Sequence, residues 1–107
     1  MGSAQVFKDW KASFVDGAGG QSLFPRMWDR LRPVVDGSII VSLDETRAAM
    51  RLMAEKARII AQGAGALSLA AALSGKAGRG PIVAVVSGGN VDLAKFSELI
   101  AAAPVVR

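Results

Sequence analysis

The chain contains no histidine and no cysteine. Without cysteine there is no disulfide framework and no thiolate to serve as nucleophile or metal ligand. Without histidine the commonest metal ligand and the usual general base near neutral pH are both missing. Tyrosine is absent too, and aromatic residues make up only 6% of the chain. Any core must therefore be built from small and aliphatic side chains with backbones packed close together. No run approaches the roughly 18 apolar residues that a membrane-spanning helix needs. The opening "MGSAQVFKDWK" lacks the apolar centre of a signal peptide. A reducing, cytoplasmic setting is the expectation. Charge is not concentrated either: 13 basic residues against 9 acidic ones give +4. Arg26, Arg30, Arg32, Arg47, Arg51, Lys56 and Arg58 alternate with acids and apolar residues. A nucleic-acid-binding face would gather such residues into a stripe with aromatics among them, so a solvated surface is read instead.

What is present describes a globular chain, with 51% hydrophobic and 21% charged residues. At 107 residues it reads as a single domain, 1–107, able to bury a modest core. Pro25 is placed to begin a helix in which Met27, Leu31 and Val34 recur at helical spacing. Asp36-Gly37 marks a turn, and "SIIVS" (38–42) is a β-branched strand candidate. Ser42 and Glu45 make an S-x-x-E capping box ahead of "TRAAMRLMAEKARII". On that helix Met50, Met53, Ala54 and Ala57 share one face, with Arg47, Arg51, Glu55 and Arg58 largely opposite. "GAGALSLAAALSG" (63–75) is apolar nearly all round. It predicts a helix buried between neighbours, with glycines that admit close backbone approach and Gly75 as its stop. "PIVAVVS" (81–87) is a continuous apolar run of the kind found in strands covered on both faces. A last helix follows in "NVDLAKFSELIAAA", with Asn90 as N-cap, Asp92 in the first turn, and Val91, Ala94, Phe96 and Leu99 on its apolar side.

The order helix, strand, helix, helix, strand, helix predicts an α/β fold: an incomplete open sheet of few parallel strands with packed helices. Two strands rarely stand alone, so the sheet is expected to be completed by oligomerisation, the chain acting as a homo-oligomer or as a piece of something larger.

The stretch "VVSGGN" (85–90) has the strand, turn, helix order that often makes a binding site in α/β proteins. Together with "FVDGAGG", "VVDGSIIVSLDETRAAMRLMAEKARIIAQGAGALSLAAALSG" and "IVAVVSGGNVDLAKFSEL", it resembles the C-terminal part of the threonine/serine dehydratase–serine racemase family, the fold-type II pyridoxal-phosphate (PLP) enzymes. The resemblance covers about 13–100. It implies PLP as cofactor, with Ser87 hydrogen-bonding the pyridine nitrogen, Gly88 and Gly89 letting the backbone pass near the ring, Asn90 capping the next helix, and Gln62 at the pocket edge. The family usually has glutamate where this chain has Gln62, which keeps the hydrogen-bonding shape but cannot ionise. The Schiff-base lysine segment, the substrate loop and the phosphate cradle that the resemblance implies are not found in the sequence. "DGAGGQS" (16–22) corresponds to the loop after the cradle. Lys8, Lys11, Lys56 and Lys95 fall on polar surfaces and Lys76 in a loop, none in the apolar setting that lowers a lysine pKa.

The expectation is therefore a truncated threonine/serine dehydratase-like fragment that self-associates and has no PLP catalysis of its own. Two alternatives stand beside it. One is a PLP-independent, esterase-like hydrolase with Ser87 as nucleophile and the amides of Gly88, Gly89 and Asn90 as oxyanion hole. The other is one half of a split threonine/serine ammonia-lyase, paired with a polypeptide that carries the lysine and cradle. For Ser87 the plainer reading is a turn residue without a ligand, and for Gln62 a polar residue at a helix start.

Overall fold

The first helix begins where a proline fixes its opening turn. In a computed structural model describing residues 11–15 and 24–103, α1 runs Pro25–Leu31 with Pro25 in its first turn. It is followed by α2 (Leu43–Leu52), a π-helical turn (Met53–Ala57), α3 (Gly63–Leu73) and α4 (Leu93–Ala101). The chain divides into two compact units, Met1–Ser38 and Ile39–Arg107.

In the first unit α1 buries none of its residues, and Met27, Leu31 and Val34 are exposed. A cavity of about 420 Å³ is lined by Trp28, Leu31, Arg32, Val35, Asp36, Gly37 and Ser38.

In the second unit α2 starts on the expected capping box. The Glu45 backbone N–H donates to Ser42 Oγ at 3.0 Å, and the Ser42 N–H donates to Glu45 Oε1 at 2.9 Å. Two orphan donors of the helix start are thereby satisfied reciprocally. α2 packs against α3 and, less extensively, against α4. Of its buried residues Thr46, Ala48, Ala49 and Met50, the first and the last two follow one helical face, which Met53 of the π turn continues. Met50 and Thr46 are the largest fully buried side chains, and Ala48, Ala61, Ala66, Ala70, Phe96 and Leu99 complete the core. Small residues dominate it, as the scarcity of aromatics requires.

The helix does not continue regularly to Ile60. At Met53 it widens into a π turn and closes at Arg58, which takes a left-handed φ of 59°. The N–H groups of Arg58 and Ile59 both point back to the Met53 carbonyl. The wider turn rotates later residues off the buried face, so Met53 is buried whereas Ala57, expected on that face, is exposed. α3 ends as expected at Gly75, whose φ of 81° suits glycine. Only Gly63, Gly65, Ala66 and Ala70 of α3 are buried, and Leu73 is exposed, so one side of this apolar helix is covered rather than all of it.

The expected α/β architecture, an incomplete open sheet of few parallel strands completed by oligomerisation, is not what forms. Among the described residues there is no strand: 38–42 and 81–87 are neither helical nor laddered. β-branched composition favours an extended, half-buried chain, but a strand exists only through hydrogen bonds to a neighbour, and these two runs do not pair. The 81–87 run was expected to be covered on both faces, yet Val83 is 92% exposed. The last helix also starts later than expected. Asp92, not Asn90, is its N-cap, with its carboxylate accepting from the Lys95 N–H at 3.3 Å. Asn90 lies two residues outside the helix, and its N–H is engaged elsewhere. No described helix is long and apolar enough to cross a membrane.

Candidate functional site

Ser87 sits on an unpaired segment that runs antiparallel to α3 and is fastened to it at successive points. Ser68 Oγ, one turn into the helix, donates to the Val85 carbonyl at 2.7 Å. Nearer the helix start, a Cβ built on Gly65 would fall 2.5 Å from the Gly88 carbonyl oxygen and 3.0 Å from its nitrogen. Two backbones meet here, as the glycines of "GAGA" suggested. At the N-cap position of α3, the Gln62 backbone N–H donates to the Gly88 carbonyl at 3.1 Å. The Gln62 side-chain carbonyl accepts from the Asn90 N–H at 3.2 Å. One residue before that, a Cβ on Gly89 would lie 2.5 Å from the Ile60 carbonyl oxygen.

All five residues expected at the site are thus in one neighbourhood: Gln62 against Gly88 and Asn90, Gly89 between them, and Ser87 next in the chain to Gly88. The glycines at 65 and 89 make room for protein backbone. At Gly88 an added Cβ would meet only the Gln62 side chain, nearest at Cδ, 3.4 Å away. Ser68 and Ile60 belong to the same arrangement and were missed. Ser68 reads as one polar residue in an apolar helix, and nothing local shows that it reaches a carbonyl 17 residues away.

The Ser87 hydroxyl is exposed, and no described residue hydrogen-bonds it. No base adjoins it. Lys11, Lys56, Lys76 and Lys95 are exposed, and Lys76 Nζ donates to the Ile40 carbonyl at 2.9 Å. The described residues hold no cluster of three or more acids that could bind a metal. Lys8 and most of "FVDGAGG" and "DGAGGQS" lie outside the described residues.

These residues fit one edge of a pyridine ring. A neutral hydroxyl with no partner among the described residues stands at the end of a segment whose backbone is pinned on both sides of it. Such a hydroxyl can donate to a ring nitrogen without displacing a protein bond.

Comparison with known proteins identifies the family. A family model described as pyridoxal-phosphate dependent enzyme matches residues 2–88. The catabolic L-threonine dehydratase TdcB of Staphylococcus aureus (strain N315) is 38% identical over 94 residues, which cover 83% of this chain and 27% of that protein. The enzyme of the same name from Escherichia coli (strain K12) is 37% identical over 76 residues, 67% of this chain and 23% of that one. The crystal structure of a T.th. threonine deaminase superposes with a TM-score of 0.77 at 31% identity, over 83% of this chain and 30% of the other. The chain therefore spans about a quarter of the length of the relatives it matches. With a family match over most of its length and this identity to the dehydratases, the chain belongs to the pyridoxal-phosphate dependent enzyme family, corresponding to a threonine dehydratase C-terminal segment.

Proposed function

We propose that this chain supplies the Ser87 wall of a threonine dehydratase-type PLP site and does not perform the reaction by itself. The observation that carries this reading is the Ser87 hydroxyl, exposed and without a partner among the described residues, beside a segment held by Gln62. When bound, PLP supplies an electron-withdrawing ring. Ser87 donates to its nitrogen as a neutral group, which leaves the ring less electron-poor than a carboxylate partner would. Gln62, Gly88, Gly89 and Asn90 hold the backbone next to that hydroxyl.

One such hydrogen bond contributes about 1 kcal/mol, too little to retain a cofactor. The Schiff-base lysine and the phosphate-binding loop come from polypeptide beyond these 107 residues, a view supported by the relatives' much greater length. That polypeptide also covers the exposed side chains of Ile82, Val83, Val85 and Val86. Without it, the chain self-associates through them.

The geometry favours this over a Ser87 nucleophile. The Asn90 N–H, one of three amides an oxyanion hole would use, already donates to Gln62, and no described base touches the hydroxyl.

The test is complementation. The chain is combined with the preceding portion of a related threonine dehydratase, and bound PLP absorbance and ammonia release from L-threonine are measured. Both appear only in the mixture, and Ser87→Ala weakens PLP retention there. Turnover of threonine by the chain alone, or a mixture that retains no PLP, overturns the reading.

A further inference from the structure

Gln62 occupies the N-cap position of α3, yet its side chain makes no capping bond. Residues that cap well are short: serine, threonine, aspartate and asparagine reach the helix's own N–H groups. Glutamine is longer and reaches away from its helix. Here it spans to a segment 28 residues on, where its side-chain oxygen accepts from the Asn90 N–H. Its backbone N–H donates to the Gly88 carbonyl. One residue thus holds the 88–90 segment at both ends, with its side-chain amide lying against Gly88. The amide orientation follows from chemistry, since only the oxygen can accept from a backbone N–H.

The neighbours leave the clamped segment little room to shift. Gly65 abuts the backbone of Gly88, and the Ile60 carbonyl abuts Gly89. Two residues before Ser87, Ser68 holds the Val85 carbonyl. The backbone at Ser87 is therefore anchored before and after, while its side chain is left to rotate.

We infer that Gln62 is a positioning residue: its backbone N–H and side-chain oxygen together lock the 88–90 segment and so fix the backbone position from which the Ser87 side chain projects. The lock is a property of the chain alone; its use, orienting a hydroxyl toward the PLP ring nitrogen, rests on the function proposed above.

The experiment has an arm for each. In the cofactor-free chain, NMR reads the Asn90 amide. A coupling transmitted across the hydrogen bond from Asn90 nitrogen to Gln62 Cδ is expected in the unaltered protein. Gln62→Met keeps the length and loses the acceptor, and it should speed Asn90 amide exchange about fivefold, the loss of one ordinary hydrogen bond. Gln62→Glu keeps an acceptor oxygen and should restore slow exchange. Absence of the coupling, or equal Asn90 exchange in the unaltered protein and Gln62→Met, overturns the lock, and the first of these needs no variant to fold.

In the second arm the complemented protein is titrated with PLP. Gln62→Met and Ser87→Ala should each weaken retention, and the double variant should be no weaker than Ser87→Ala alone. Additive losses overturn the positioning role, because they mean Gln62 acts independently of Ser87. Failure of the unaltered mixture to retain PLP sinks the proposed function while the NMR arm still decides the lock.

Discussion

Gly65 and Gly88 meet backbone to backbone: a Cβ on the first would lie 2.5 Å from the carbonyl oxygen of the second. This contact joins the start of α3 to the segment beside Ser87, and it gives the first prediction. Alanine improves helix propensity over glycine by about 1 kcal/mol, but the forced backbone shift costs about 1–3 kcal/mol. Gly65→Ala should therefore lower the urea midpoint. Gly89→Ala, with its Cβ 2.5 Å from the Ile60 carbonyl oxygen and no helix to favour it, should lower it further. Gly88→Ala faces only the flexible Gln62 side chain and should be the mildest of the three. If Gly65→Ala and Gly89→Ala both unfold at the wild-type midpoint, these contacts do not form in solution.

How much of this was readable depended on how far apart the partners lie. The Ser42–Glu45 box spans three residues, and both sit where the S-x-x-E pattern puts them. Met50 and Met53 follow helical periodicity, and Gly75 stops its helix through a local φ preference. The misreadings arose where local composition was ambiguous. "PIVAVVS" has the composition of a buried strand, but whether it becomes one is decided by a neighbour the sequence does not name. Asn90 and Asp92 are both good caps, and the position of Asn90 is set instead by Gln62, 28 residues away. The π turn at Met53–Ala57 has no sequence signal that separates it from continued helix. Resemblance brought Gln62, Ser87, Gly88, Gly89 and Asn90 into one site, but which of them hold the others became visible only in three dimensions.

The capping box makes a pH-dependent prediction. The Glu45 carboxyl is held below its ordinary value, chiefly because it accepts the Ser42 backbone N–H; burial acts next and in the opposite direction, and the Ser42 side chain and the charge of Lys76 lower it further. A folded value below the unfolded one, about 4.3 for an unperturbed glutamate, means the carboxylate's contribution is fully present above that value. It is lost as pH falls through the lower folded value. Urea midpoints measured downward through the carboxylate range should therefore fall with acid, and Glu45→Gln should flatten that part of the profile. Ser42→Ala should cost about 1 kcal/mol at neutral pH. An acid profile identical in wild type and Glu45→Gln would remove the box from the account of stability.

The exposed apolar segment gives the last prediction. Val83 and Val85 are 92% and 71% exposed, and Ile40 is 83% exposed. Their side chains stabilise the isolated fold little, so replacing them should spare it. They do carry apolar area that water disfavours, and its removal on contact with another chain is the driving force available for association. Light scattering on the isolated chain should give a multiple of the monomer mass. Val83→Lys with Val85→Lys should shift it toward the monomer while circular dichroism keeps the helical signal, because two added charges are costly to bury. The same double variant should dock less well to the complementing dehydratase portion, since one surface serves both contacts. A monomeric wild type would end the proposal of self-association. A double variant that keeps the wild-type mass would move the contact away from this segment, and the function proposed for the chain would then need another surface to meet the rest of its site.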